Sequence, residues 1–121
     1  MTNMGHNLKV QVAQRERPRA RAFYAELLGA DELPSPSPSM ELFRLSDGTT
    51  IGVYYVEDGQ ALSEESYRSA TWLEIETSDI TALMSRLRAL GVKEIDYTDR
   101  EHFYFHAPGG QVFRLAQGPT S

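Results

Sequence analysis

Two pairs of glycines constrain this chain more than any other feature. The stretch "FYAELLGA" ends a helical pattern at Gly29, and "SRLRALGV" ends another at Gly91, 62 positions later. "SDGTTIGVYY" sets Gly48 in a hairpin turn, and "APGGQVFRLA" sets Gly110 in another, again 62 positions on. Two landmarks with one offset mean that a single structural unit occurs twice. Each copy reads as a strand, a helix and then further strands, so any fold must accommodate a duplicated βαβββ unit.

The local patterns support that order. In "LKVQV", apolar Leu8, Val10 and Val12 alternate with Lys9 and Gln11, as in a half-buried strand. Pro18 suits a first helical turn. Ala20, Phe23, Tyr24, Leu27 and Leu28 then follow the spacing of one helix face, with Gly29 as a left-handed stop. The second copy opens with "TWLEIET", and Ser78 is placed to cap the next helix. Ile80, Leu83, Met84, Leu87 and Leu90 face inward along that helix, and Gly91 ends it. A short strand near "VKEI" and a hairpin from His102 to Ala116 close the copy. The units span about 6–56 and 70–117 within a single domain over 1–121, and "EDGQALSEESYRS" (57–69) is an acidic surface linker or mobile loop. The fold class expected is α+β, with two tandem units forming a curved mixed sheet around a cavity.

Composition narrows the partners. With 121 residues, one domain with a real core is expected. There is no cysteine, which removes disulfides and thiolate metal sites and fits a reducing cytoplasm. The net charge of −5 is spread evenly: six basic against eight acidic residues in 1–60, and six against nine in 61–121. A chain without a basic half is a poor nucleic-acid binder. No apolar run approaches the ~20 residues of a membrane span, and "MTNMGHNLK" has no signal-peptide core. The basic cluster "RERPRAR" (Arg15, Arg17, Arg19, Arg21) reads as a solvated loop and first helical turn, or as an anion-binding edge.

A βαβββ unit covers one sheet face with its helix and leaves the other bare. Alternation puts Val10, Val12, Ile51, Val53, Leu73, Ile75, Phe113 and Leu115 under the helices. Lys9, Gln11, Tyr54, Trp72, Glu74, Glu76, Tyr104 and Arg114 fall on the bare faces and are the candidate ligand-binding residues. Each has a plainer reading. Trp72 suits a core, Arg114 suits a structural salt bridge with Glu74 or Glu76, and the glutamates suit a solvated sheet face. Two histidines, His102 and His106, stand four apart on what reads as one strand, ~13 Å apart at ~3.3 Å per residue, too far to chelate one ion together.

The paired units, "FYAELLG", "SDITALMSRLRALGV" and "FYFHAPGGQVFRL" resemble the vicinal oxygen chelate superfamily, which includes glyoxalase I, bleomycin resistance proteins and extradiol dioxygenases. The resemblance covers Asn7 to Gln117. It implies metal ligands at four matched positions, which fall here on Asn7, Gly52, Trp72 and Arg114. Asparagine is a weak ligand, glycine and tryptophan offer no lone pair, and arginine is a permanent cation. No metal and no other cofactor is therefore expected, although a one-residue slip would bring His6 to the first position. The resemblance further implies a homodimer. The function expected is binding of a small organic ligand in a metal-free cavity, as a sequestering or resistance protein. The alternative is a lyase, isomerase or dioxygenase of the same superfamily, metal-independent or metal-dependent. A metal-independent enzyme would use Glu74 or Glu76 as base and Arg114 against a developing anion. Whether a reaction is catalysed stays open, since no nucleophile–base pair is visible in the residues.

Overall fold

A computed structural model describes residues 1–118. The chain divides into two compact units, Met1–Ala61 and the segment from Leu62 onward. The break thus falls inside the acidic stretch 57–69, whose second half joins the second unit.

In the first unit, strand β1 (Asn7–Ala13) runs into a 3-10 turn (Gln14–Glu16), helix α1 (Arg17–Arg21) and a π-helical segment (Ala22–Leu27), followed by β2 (Asp31–Leu33), β3 (Met40–Arg44) and β4 (Thr50–Val56). The order across its sheet is β1-β4-β3-β2, with β1 parallel to β4 and the other pairs antiparallel. The second unit holds α2 (Glu64–Ser69), β5 (Trp72–Thr77), α3 (Ile80–Leu90), β6 (Lys93–Ile95), β7 (Tyr104–His106) and β8 (Val112–Gln117). Its sheet order, β5-β8-β7-β6, repeats the first, again with one parallel pair, β5 with β8. The duplication read from glycine spacing is therefore a duplication of topology. Gly29, Gly48, Gly91 and Gly110 all adopt positive φ, the region that glycine enters without a Cβ penalty.

The expected core is where alternation put it. Val10, Val12, Ile51, Val53, Phe113 and Leu115 are all at most 3 % exposed, while Leu73 and Ile75 are half-buried. Phe23 and Tyr24 bury fully from the first helical segment and Leu87 from α3. No helix among the described residues is long and apolar enough to cross a membrane.

Four local expectations change. The first helix is not one α-helix: the amides of Leu28 and Ala30 reach back five residues, to Phe23 and Ala25, which widens the last turns. Asp79 rather than Ser78 caps α3, its carboxylate accepting from the Ala82 amide at 3.0 Å. Residues 57–69 are not an open loop. Ser63 caps α2, and Tyr67 buries against Tyr104 and Val112, with Ile95 and Tyr97 packed around them. A methyl on Gly110 would run into the Tyr67 ring, so glycine is needed there for space as well as for its φ of 116°. Finally, β7 begins only at Tyr104, and His102 lies before it, so the two histidines do not share a strand.

The basic cluster is more than a solvated edge. Arg17 and Arg21 converge on Glu41, which is only 6 % exposed and also accepts from the Tyr55 hydroxyl at 2.5 Å. Arg21 forks onto Glu32 at 3.0 Å through both terminal nitrogens, and Arg17 lies 4.5 Å above the Tyr55 ring. Burial pushes the Tyr55 phenol pKa up. Removing the carboxylate leaves a buried phenol without its acceptor, while the half-exposed arginines can turn to water. Glu41→Ala is expected to cost about 2 kcal/mol in urea unfolding, and an unchanged midpoint would show that the network is ornamental.

Candidate functional site

The second sheet concentrates polar chemistry on the face away from α3. Register places Trp72, Val112 and His106 in one row across three strands, and Glu74, Arg114 and Tyr104 in the next. Cross-strand neighbours on one face lie within side-chain reach, so Arg114 has a glutamate on one side and a tyrosine on the other. Its Nε donates to Glu74 Oε1 at 3.0 Å, and its Nη1 to the Tyr104 hydroxyl at 3.3 Å. The Tyr104 phenol and then the Glu74 carboxylate hold the guanidinium further toward its charged form.

The guanidinium carbon sits 4.1 Å from the centre of the Trp72 indole, within cation–π range. Trp72 and Arg114 are thus stacked on each other, and a ligand has no room between them. The indole is 44 % exposed, so a core role for Trp72 does not apply. The Arg114 salt bridge is formed with Glu74. Glu76 stays exposed on the same face. Tyr104 is 5 % exposed and wedged edge-on against Tyr97 with ring centres 4.6 Å apart, so mainly its hydroxyl is left for chemistry.

Two residues that the pattern of alternation does not single out complete this face. Asp99 Oδ2 accepts from the Tyr104 hydroxyl at 2.9 Å and lies 2.8 Å from His102 Nδ1. The same oxygen is 3.8 Å from Arg114 Nη1, and Oδ1 accepts from the Glu101 amide at 2.9 Å. These donors, the Glu101 amide first, then Tyr104 and His102, draw the Asp99 pKa down to about 2. Both residues belong to the irregular stretch between β6 and β7, where strand periodicity carries no information. The available sequence signal is the acid–histidine pair three apart in "DREH".

The first unit presents Lys9, Gln11 and Tyr54 on the equivalent face, with Lys9 Nζ 4.8 Å from the Tyr54 ring centre. Asn7 and Gly52 share that face by register. A Cβ at Gly52 would stand 3.2 Å from the Tyr54 ring and 3.5 Å from Leu42, so Tyr54 occupies the space of a ligating side chain. Of the four positions matched to metal ligands, Gly52 and Trp72 provide no donor and Arg114 a bound cation. Among the described residues no three His, Asp or Glu side chains converge on a point that could hold a metal ion. The residues present do not fit a divalent ion.

A cleft of about 580 Å³ lies elsewhere in the first unit, beside the Pro34–Pro38 connector, with Arg17, Glu32 and Glu41 in its wall. Its charged groups are already paired with Arg21 or with each other, so the polar face of the second unit is the stronger candidate.

No family model matches the sequence, and neither does any curated protein. The structure does have close neighbours in fold. A possible glyoxalase from Bacillus cereus aligns at a TM-score of 0.67 and 18% identity, over 93% of this chain and 98% of its own. The fosfomycin resistance protein FosX from Mesorhizobium loti aligns at 0.72 and 19%, over 98% and 94%. A mutant FosX from Listeria monocytogenes, solved with Mn(II) and 1S,2S-dihydroxypropylphosphonic acid, aligns at 0.69 and 18%, over 98% and 92%.

The Asp99 shift has a readable consequence. A carboxylate held near 2 against an ordinary 3.8 contributes stability that is present above the ordinary value and is lost as pH falls through about 2. In Asp99→Asn the loss of stability between pH 4 and pH 2 is expected to be shallower than in wild type, followed by urea midpoints at each pH. Parallel curves would mean that Asp99 is not held as the geometry requires.

Proposed function

We propose, from the vicinal oxygen chelate fold that the chain shares with these structures, that it binds a small organic ligand without a metal. The ligand docks on the polar face of the second unit. The observation that carries this reading is the exposed indole with a guanidinium stacked on one side. Trp72 keeps its outer face and edge for an aromatic or flat group of the ligand. Arg114, already oriented by Glu74 and Tyr104, keeps Nη2 without a hydrogen bond to any described residue and can take a carboxylate or similar anion. Glu76, and the Glu74 oxygen that Arg114 does not use, favour a ligand that also bears donors. Lys9, Gln11 and Tyr54 are the corresponding candidate residues on the first unit's own sheet face.

The lack of a metal is part of the proposal, supported by the donor set at Asn7, Gly52, Trp72 and Arg114. A resistance or sequestering role is part of the same proposal, supported by the likeness in fold to FosX and to a possible glyoxalase. In the same proposal the chain works as a cytoplasmic homodimer, a reading supported by the family resemblance and by the absence of cysteine.

Trp72 is the one tryptophan in the chain, so binding can be read from intrinsic fluorescence. Aromatic carboxylates are expected to quench it saturably, and the corresponding amines to do so more weakly. Arg114→Gln is expected to weaken the carboxylates by about tenfold, in line with the ~1.5–3 kcal/mol of a charge-assisted hydrogen bond. Quenching that ignores the acid, or an Arg114→Gln protein that binds as tightly as wild type, would sink the reading.

A further inference from the structure

Next to the stacked pair lies an arrangement that binding alone leaves unused. The Asp99 carboxylate, drawn down to a pKa of about 2, is ionised at neutral pH and can only accept. The 2.8 Å contact therefore requires the proton of His102 to sit on Nδ1. Neutral His102 then carries its lone pair on Nε2, which no described residue hydrogen-bonds, and its side chain is 31% exposed. A carboxylate that holds an imidazole in one tautomer with the other nitrogen open to solvent is the arrangement of an oriented base. Arg114 adds a permanent cation 3.8 Å from the same Asp99 oxygen, beside the base and suited to an oxygen that gains negative charge. Tyr104 ties the two halves together through its hydroxyl, which accepts from Arg114 and donates to Asp99.

We propose that His102, positioned by Asp99, is a general base that moves a proton on a small carbonyl acid held by Arg114. This makes the face a site of metal-independent proton transfer, and it rests on the binding role proposed above. In the step, the C–H bond beside the carbonyl breaks and its proton bonds to His102 Nε2. The C–H electron pair becomes the new C=C bond, and the carbonyl π pair moves onto oxygen, where Arg114 faces it. The oxygen pair then re-forms the carbonyl while the C=C pair takes the proton, or a solvent deuteron exchanged for it, from the imidazolium onto the same carbon. Nothing is oxidised or reduced and no co-reactant enters. Asp99 touches neither substrate nor moving proton and is a positioning residue.

The test uses the full chain in D2O with 2-oxo-4-phenylbutanoate, which offers a ring for Trp72, an acid and carbonyl for Arg114, and exchangeable hydrogens at C3. Proton NMR follows loss of the C3 signal, and Trp72 fluorescence follows binding in parallel. Wild type is expected to exchange C3 at least about tenfold faster than buffer, and His102→Gln to fall to the buffer rate while still quenching. Asp99→Asn is expected to lose about tenfold in rate at unchanged affinity, with His102 nitrogen shifts showing a mixture of tautomers. Saturable quenching with exchange at the buffer rate would overturn the inference and leave the binding role standing. Exchange that survives His102→Gln but is lost in Glu74→Gln or Glu76→Gln would overturn it in favour of a glutamate base. Neither quenching nor exchange in wild type would overturn both readings.

Discussion

A guanidinium laid on an indole in the middle of a sheet is the interaction on which the rest of the site depends. Arg114 is a permanent cation, and everything nearby answers to it. Glu74 balances its charge, Tyr104 accepts from it, Asp99 stands one atom further out, and Trp72 offers its electron-rich face. Because Glu74 holds Arg114 at Nε and Tyr104 holds it at Nη1, the charge is kept in one orientation without deep burial. That avoids the desolvation penalty that makes buried ion pairs costly.

The two units share a topology and differ in where they place their charge. In the first, the central carboxylate, Glu41, points to the helix side and is bound by Arg17, Arg21 and Tyr55. That leaves the opposite face to Lys9, Gln11, Tyr54 and the side-chain-free Gly52. In the second, Leu73, Ile75, Phe113 and Leu115 keep the helix side of the two long strands apolar, and Arg114, Glu74 and Glu76 put charge on the other face. Duplication fixes the scaffold, and the divergence of single strand positions decides which copy carries the polar, charged face. Fold alone could not have told them apart.

Much of the scaffold was legible because its signals are periodic. Alternation in "LKVQV" and "TWLEIET" assigns faces without a structure, and glycines at positive φ mark where each unit turns. An Arg114 salt bridge with Glu74 or Glu76 was legible for the same reason, and the strand register selects Glu74. What was hidden lies where periodicity ends or competes. Asp99 and His102 sit in an irregular connection, and only three-dimensional folding brings them to Tyr104. The stacking of Trp72 on Arg114 was missed because both were known to share a face but not a rotamer. The π-helical end of the first helix has the same hydrophobic residues as an α-helix, so spacing could not reveal it. Tyr67 reads as part of a polar linker until its partner, the space above Gly110, is seen.

The proposal of a metal-free site rests on Arg114, a permanent cation at a position that the family resemblance assigns to a metal ligand. Calorimetric titration of the purified chain with Mn(II), Ni(II) and Zn(II) tests it directly. No stoichiometric heat of tight binding is expected for any of the three. A tight one-to-one site, above all one abolished by His6→Ala, would contradict it.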